Sequence, residues 1–331
     1  MSLFALIDAF ASLAREVAPP ARVAAARGLL ALPGAEAALV YALDQPARRT
    51  TALQIARVHV ADAPGASWHL TALQWMRVAG ATWQESASFC ADVAWSARQE
   101  GRRACPPGPA AFTAHAPDPI TARTLRHLYL AGLRYEFRCA DIQAVLPRES
   151  HALDPYTRAL GVFAALGRSQ STGVTAMHRL LDHPAAAADP KVAHAVLHGL
   201  WLGERLPHQG ELMLAVLRLE PFARREDPLA LSREARAWRK VGDLDAALEC
   251  VERAFGLLPP ASLDLHADLV RERGLITIAR DLQMPGPRQE RGSSRHTPGS
   301  SKAASVVAGQ DAGGRRRWAL DLAPCSADFP G

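Results

Sequence analysis

The chain has 331 residues, a formal net charge of +5 and 49% hydrophobic residues, enough to bury a sizeable core in one large or two smaller domains. Only 6% of residues are aromatic, and alanine and leucine dominate; this suits closely packed helices, and no run of alternating β-branched residues calls for strands. Pro285 onward carries +3 of the net charge, so the remainder is nearly balanced, and the pI of 9.2 does not indicate a nucleic-acid-binding domain.

The N-terminus has no basic region, and Asp8 interrupts its apolar stretch, so no signal peptide is expected. No uninterrupted apolar run is long enough for a membrane span. Ser2–Val17 reads as an amphipathic helix docked on the domain, with Leu3, Phe4, Leu6, Ile7, Phe10, Leu13, Ala14 and Val17 on one broad face. Further helices are predicted over Ala21–Leu32, Ala35–Leu43 and Thr50–Ala61, then from Ser67 to near Gly80 and from Thr82 to Arg98. The fragment AGATWQES is similar to the entry of bacterial helix-turn-helix domains. The stretch that follows, Phe89 to Trp95, is apolar, whereas a recognition helix is polar. The competing expectation is another helix pair, with Trp68, Trp75, Trp83 and Trp95 as packing residues. Cys105–Pro119 is a proline-rich break, and residues 106–117 are the expected boundary after an N-terminal region over 1–105.

Beyond the break a period emerges. Asp-Pro recurs at Asp118–Pro119, Asp154–Pro155, Asp189–Pro190 and Asp227–Pro228, with steps of 36, 35 and 38 residues. Each is followed in phase by a glycine (Gly132, Gly167, Gly203, Gly242) and a proline (Pro147, Pro184, Pro221, Pro259). Aspartate caps a helix, proline suits its first turn, glycine turns the chain and the second proline ends the pair. The clearest unit is 227–260, where Trp238, Gly242, Ala247, Ala254 and Pro259 stand in the pattern of a ~34-residue helix–turn–helix. This unit resembles the tetratricopeptide repeat family, and the three earlier units resemble it more loosely. The resemblance implies an all-α fold, an α-solenoid of TPR-like helix pairs over 118–284. The last helix, Leu263–Leu282, would cap the stack, turning Leu265, Leu269, Ile276 and Ile278 inward and Asp268, Arg271, Glu272 and Arg273 to water. Residues 285–331 are rich in Gly, Ser, Pro and Arg and read as a disordered basic tail.

No sequence signature of catalysis is present: there is no P-loop, no Gly-rich dinucleotide fingerprint, no H-E-x-x-H and no G-x-S-x-G. His194 and His198 stand at i, i+4, but no carboxylate or cysteine follows at ligand spacing, so no metal and no cofactor is expected. The cysteines Cys90, Cys105, Cys139, Cys250 and Cys325 are odd in number and lack a C-x-x-C pair, which points to a reducing, cytoplasmic setting. In the family that the repeats resemble, first helices line a concave groove. Counting from each Asp-Pro places Arg123, His127, Tyr156, Phe163, Lys191, His194, His198, Trp201, Arg236, Arg239 and Lys240 on that surface. The expected function is therefore a non-enzymatic scaffold that binds an acidic peptide or partner helix in a partly basic groove. The alternative is a DNA-binding regulator whose N-terminal region reads DNA.

Overall fold

The computed structural model describes residues 2–16, 19–63, 68–99, 118–146, 153–224, 226–258 and 262–283. Every regular element among them is helical, as the composition implied, and no strand occurs among the described residues. Contacts divide the chain into two compact units at 225/226. The expected boundary at 106–117 lies outside the described residues. The helices on either side of it, Trp83–Gln99 and Pro119–Tyr135, pack against each other within the first unit.

The first unit begins with α1 (Leu3–Glu16), α2 (Pro19–Leu30), α3 (Ala35–Leu43), α4 (Pro46–Asp62), α5 (Trp68–Val78) and α6 (Trp83–Gln99). Helix α1 docks as expected: Ile7 and Phe10 are buried in the core, and Asp8 accepts two hydrogen bonds from Arg48 of α4. The entry to α6 is a capping box. The Glu85 N–H donates to Thr82 Oγ1 at 3.2 Å, and the Thr82 N–H donates to Glu85 Oε2 at 2.8 Å. Trp68 and Trp75 are buried, which fits a packing role.

The Asp-Pro helices follow: α7 (Pro119–Tyr135), α9 (Pro155–Gly167) and α12 (Pro190–Leu202). Their partners are α8 (Cys139–Val145), α10 (Ser171–Leu181), the short α11 (Pro184–Ala187) and α13 (Gln209–Leu217), with a 3-10 turn at Glu220–Phe222. Asp118, Asp154 and Asp189 each cap a helix, accepting from the N–H of Thr121, Thr157 and Val192 at 2.8, 3.0 and 3.0 Å. Helix α9 packs closely on α12 and also contacts α7. Helix α6 touches α7, α9 and α12 together, which goes beyond the nearest-neighbour contact of a simple repeat array.

The glycine turns are only partly as expected. Gly132 lies buried inside α7, and the chain turns instead at Phe137, φ 56°. Gly167 ends α9, and Ser169 makes the turn at φ 56°. Gly203 follows α12, with His208 at φ 54° at the end of that loop. Pro184 starts a helical turn rather than ending a pair, and Pro221 sits in the 3-10 turn. Pro147 and Pro259 lie outside the described residues. Non-glycine residues thus take the left-handed conformation at these three corners, which is more ordinary for His208 than for the bulky Phe137.

The second unit contains α14 (Pro228–Val241), α15 (Leu244–Leu257) and α16 (Leu263–Gln283), which pack on one another. Here the expected turn occurs: Gly242 adopts φ 98° and its N–H bonds Trp238 O at 2.9 Å. Asp227 caps α14 through the Leu229 N–H at 2.9 Å. Asp227→Ala should lower the unfolding free energy by about 1 kcal/mol, read by urea denaturation; an unchanged midpoint would show that the cap contributes nothing.

The last helix corrects the expectation made for it. Leu265, Leu269 and Ile276 are buried, but Ile278 is exposed, and Glu272 is buried against Arg239 of α14 at 2.5 Å. Residues i and i+2 of a helix lie about 200° apart around its axis, so Ile276 and Ile278 cannot share a face. Glu272 falls on the same line as Leu269 and Ile276, and the Arg239 guanidinium makes its burial tolerable. The basic tail over 285–331 lies outside the described residues.

Candidate functional site

The groove residues of the first unit do converge, but on a packed seam between α6, α7, α9 and α12. At one end Ser86 Oγ lies 2.9 Å from His127 Nδ1, and His127 Nε2 lies 2.9 Å from Asp154 Oδ1. Burial tends to raise the Asp154 pKa, but the hydrogen bond and charge of His127, with the Thr157 N–H and hydroxyl, outweigh it and hold the carboxyl well below the usual range. An ionised carboxylate only accepts, so His127 Nε2 carries the proton toward Asp154. Ser86 and His127 have 0% exposure. This order of serine, histidine and aspartate is the order of a nucleophilic triad, here closed within the packed core. Its visible work is to tie α6 to α7 and to the cap of α9.

The seam continues through Tyr156, whose ring meets His127 edge-on at 5.1 Å and whose hydroxyl burial pushes up in pKa. Arg134 comes next. It is 1% exposed, donates Nε–H to His198 Nδ1 at 3.3 Å and an Nη2–H to the His194 carbonyl at 3.1 Å. Its guanidinium carbon lies 5.2 Å from the Tyr135 ring centroid and 5.9 Å from that of Phe163. Among the described residues no carboxylate pairs with Arg134. Around it His198 contacts the rings of Phe137, Phe163 and Trp201, while His194 stands edge-on to Phe222 at 4.8 Å. His194, Trp201 and Phe137 are half-buried, so this end of the seam opens to solvent.

Each expected groove residue therefore has a definite place. His127, Tyr156 and Phe163 are core residues, a correction to their expected display in a groove; α6 lies across the face that the Asp-Pro helices would otherwise leave open. Lys191 pairs with Asp92 of α6 at 2.6 Å, a carboxylate that also takes Arg57 at 2.8 Å. Half-buried Arg123 donates to the Ala81 carbonyl. His194, His198 and Trp201 gather at the open end. Arg236, Arg239 and Lys240 belong to the second unit, where Arg239 is committed to Glu272, Arg236 is half-buried and Lys240 is exposed. Sequence reasoning missed Arg134, Ser86 and Asp154 as seam members. Arg134 stands seven residues after His127, two turns on along the same helical face, and this spacing was the available signal.

Other features bear on chemistry. The described residues hold no group of three or more His, Cys, Asp or Glu side chains placed to bind a metal. Cys90, Cys139 and Cys250 are buried and form no disulfide; burial raises the thiol pKa of Cys90 and pushes that of Cys139 up to about 11, which leaves both of these thiols protonated. Among the described residues no single helix is long and apolar enough to cross a membrane. Only Gln84 and Arg98 are exposed among the described side chains of α6, the helix that a helix-turn-helix reading would lay in a DNA groove. Comparison with protein families, with curated proteins and with solved structures returned no match.

Proposed function

We propose that this chain is a non-enzymatic interaction module of TPR-like helix pairs, working in a reducing cytoplasm and binding a carboxylate-bearing peptide segment at the open end of the seam. The observation that carries this reading is Arg134, a buried cation with no carboxylate partner among the described residues, beside half-exposed His194 and Trp201. Arg134 is as deeply buried as the rest of the seam and acts through its charge, lending positive potential to the half-buried rim of His194 and Trp201, while the surrounding rings offer an anchor for an apolar neighbour of the bound carboxylate. The basic groove expected over four helix pairs thereby narrows to one end of one unit, because Lys191 and Arg239 already have acidic partners.

The full chain is the right material to test, since α7 packs on α5 and α6 and a fragment starting after them would lose that support. Labelled peptides that place Asp or Glu next to Leu or Phe should bind in fluorescence anisotropy, and more weakly as salt rises. Trp201→Ala should weaken binding by about 2 kcal/mol, as loss of a central aromatic anchor does, with His194→Ala weakening it less. Equal binding by peptides with Asn and Gln in place of the acids, or full binding by Trp201→Ala, would refute the reading.

A further inference from the structure

The corner after α7 carries a residue that its backbone disfavours. The Phe137 N–H donates to the Arg134 carbonyl at 3.1 Å and the Arg138 N–H to that of Leu133 at 2.9 Å, the paired bonds of a Schellman helix end. Such an end needs a left-handed residue, and Phe137 supplies it at φ 56°; glycine is the usual occupant because it has no Cβ to clash. The same pair of bonds ends α5, α9 and α14. After α5 and α14 the left-handed residue is a glycine, Gly80 and Gly242. After α9 it is the small Ser169, whose hydroxyl accepts from the Arg205 N–H at 3.3 Å. Phe137 is bulky, and a bulky residue at positive φ is an outlier. Such residues persist where the surrounding structure holds them, and they gather at ligand clamps.

The contacts of the ring show what this corner serves. Phe137 stands edge-on to His198, with ring centroids 5.6 Å apart at 82°. The same imidazole meets Trp201 at 5.9 Å and accepts from Arg134 Nε–H. Phe137 and Trp201 are both half-buried, so both reach the surface at the open end of the seam. One helix end thus places the ring of Phe137 three residues after the cation of Arg134. We propose, on the peptide-binding reading above, that Phe137 is the specificity-determining residue of the site and that the segment bound there carries an aromatic residue next to its carboxylate. An incoming aromatic ring can meet Phe137 and Trp201 edge-on or offset, a geometry that contributes beyond the area it buries, whereas leucine contributes its area alone. Glycine would make the easier corner, but it would remove this wall.

Fluorescence anisotropy of the full chain, with labelled peptides that differ only in the residue beside Asp, should show the Phe peptide bound about fivefold more tightly than the Leu peptide. Phe137→Leu should bring the two peptides within about twofold of each other, while Phe137→Tyr keeps the preference. Phe137→Gly and Phe137→Ala both delete the ring and should each weaken the Phe peptide by about tenfold. Of these two, only glycine relieves the backbone, so Phe137→Gly should have the higher thermal midpoint. Equal binding of the two peptides by wild type, a preference that survives Phe137→Leu, or a Phe137→Gly variant that binds like wild type overturns the role of Phe137 and leaves the peptide site standing. Glycine and alanine variants that melt alike overturn it too, because the corner would then not be held against its preference. A wild-type chain that binds neither peptide refutes the site itself, and the role of Phe137 with it.

Discussion

Asp154→Ala should destabilise the protein by about 2–4 kcal/mol, combining the loss of a helix cap with the exposure of an unmet need in the core. The Asp154 carboxylate accepts from the Thr157 N–H at 3.0 Å, from the Thr157 hydroxyl at 2.8 Å and from His127 Nε2 at 2.9 Å. Alanine removes the cap and leaves His127, which has no solvent exposure, without its acceptor. Asp118→Ala removes a cap of the same geometry that has no histidine attached, and should cost less. The effect has a pH signature. The folded-state pKa of Asp154 lies below its unfolded value, so its contribution is present above the unfolded pKa, about 3.9, and is lost as pH falls through the folded pKa. Urea denaturation of wild type and Asp154→Asn should therefore differ most near neutrality and converge on acidification below pH ~4. A difference that grows toward acid would show that the carboxylate is not held in its ionised form by the fold.

Gly199→Ala should destabilise, although alanine is the better helix former. A Cβ at Gly199 would lie 2.8 Å from Phe163 Cα and 2.9 Å from its carbonyl oxygen, both backbone atoms of α9. Neither can swing aside, so α9 and α12 must separate, at about 1–3 kcal/mol for the overpacking. That exceeds the gain of about 1 kcal/mol from replacing helical glycine. Gly256→Ala in α15 is the matched control: nothing lies within 4 Å of its added Cβ, so only the propensity gain remains. The two glycine-to-alanine changes should shift the thermal midpoint in opposite directions. A rise for both would mean that the approach of α12 to α9 is looser than the distances imply. Because His198 precedes Gly199, separating these helices should also loosen the Arg134–His198 contact and weaken peptide binding at the open end.

The contrast between these glycines shows how far the sequence reaches. Gly132, Gly167, Gly203 and Gly242 stand in phase after each Asp-Pro, and of these only Gly242 takes up a left-handed turn. Helix starts were legible because an aspartate side chain caps its own backbone two or three residues on, and all four Asp-Pro sites do so. That contest is settled within one turn of chain. The buried faces were legible where one spacing dominates, as at Leu265, Leu269 and Ile276. The same periodicity could not say what stands opposite a polar residue. His127 and Lys191 resemble groove residues until Ser86, Asp154 and Asp92 arrive from positions 41, 27 and 99 residues away. Glu272 reads as a solvated charge until Arg239 reaches it from 33 residues upstream. A side chain's need for a partner is written in its chemistry, but its partner is chosen by which helices pack together, and packing is decided by the shape and apolar area of whole faces. Local rules thus determined the helices and their starts, and the tertiary structure alone decided which charges are spent inside the protein and which, such as Arg134, have no acidic partner among the described residues.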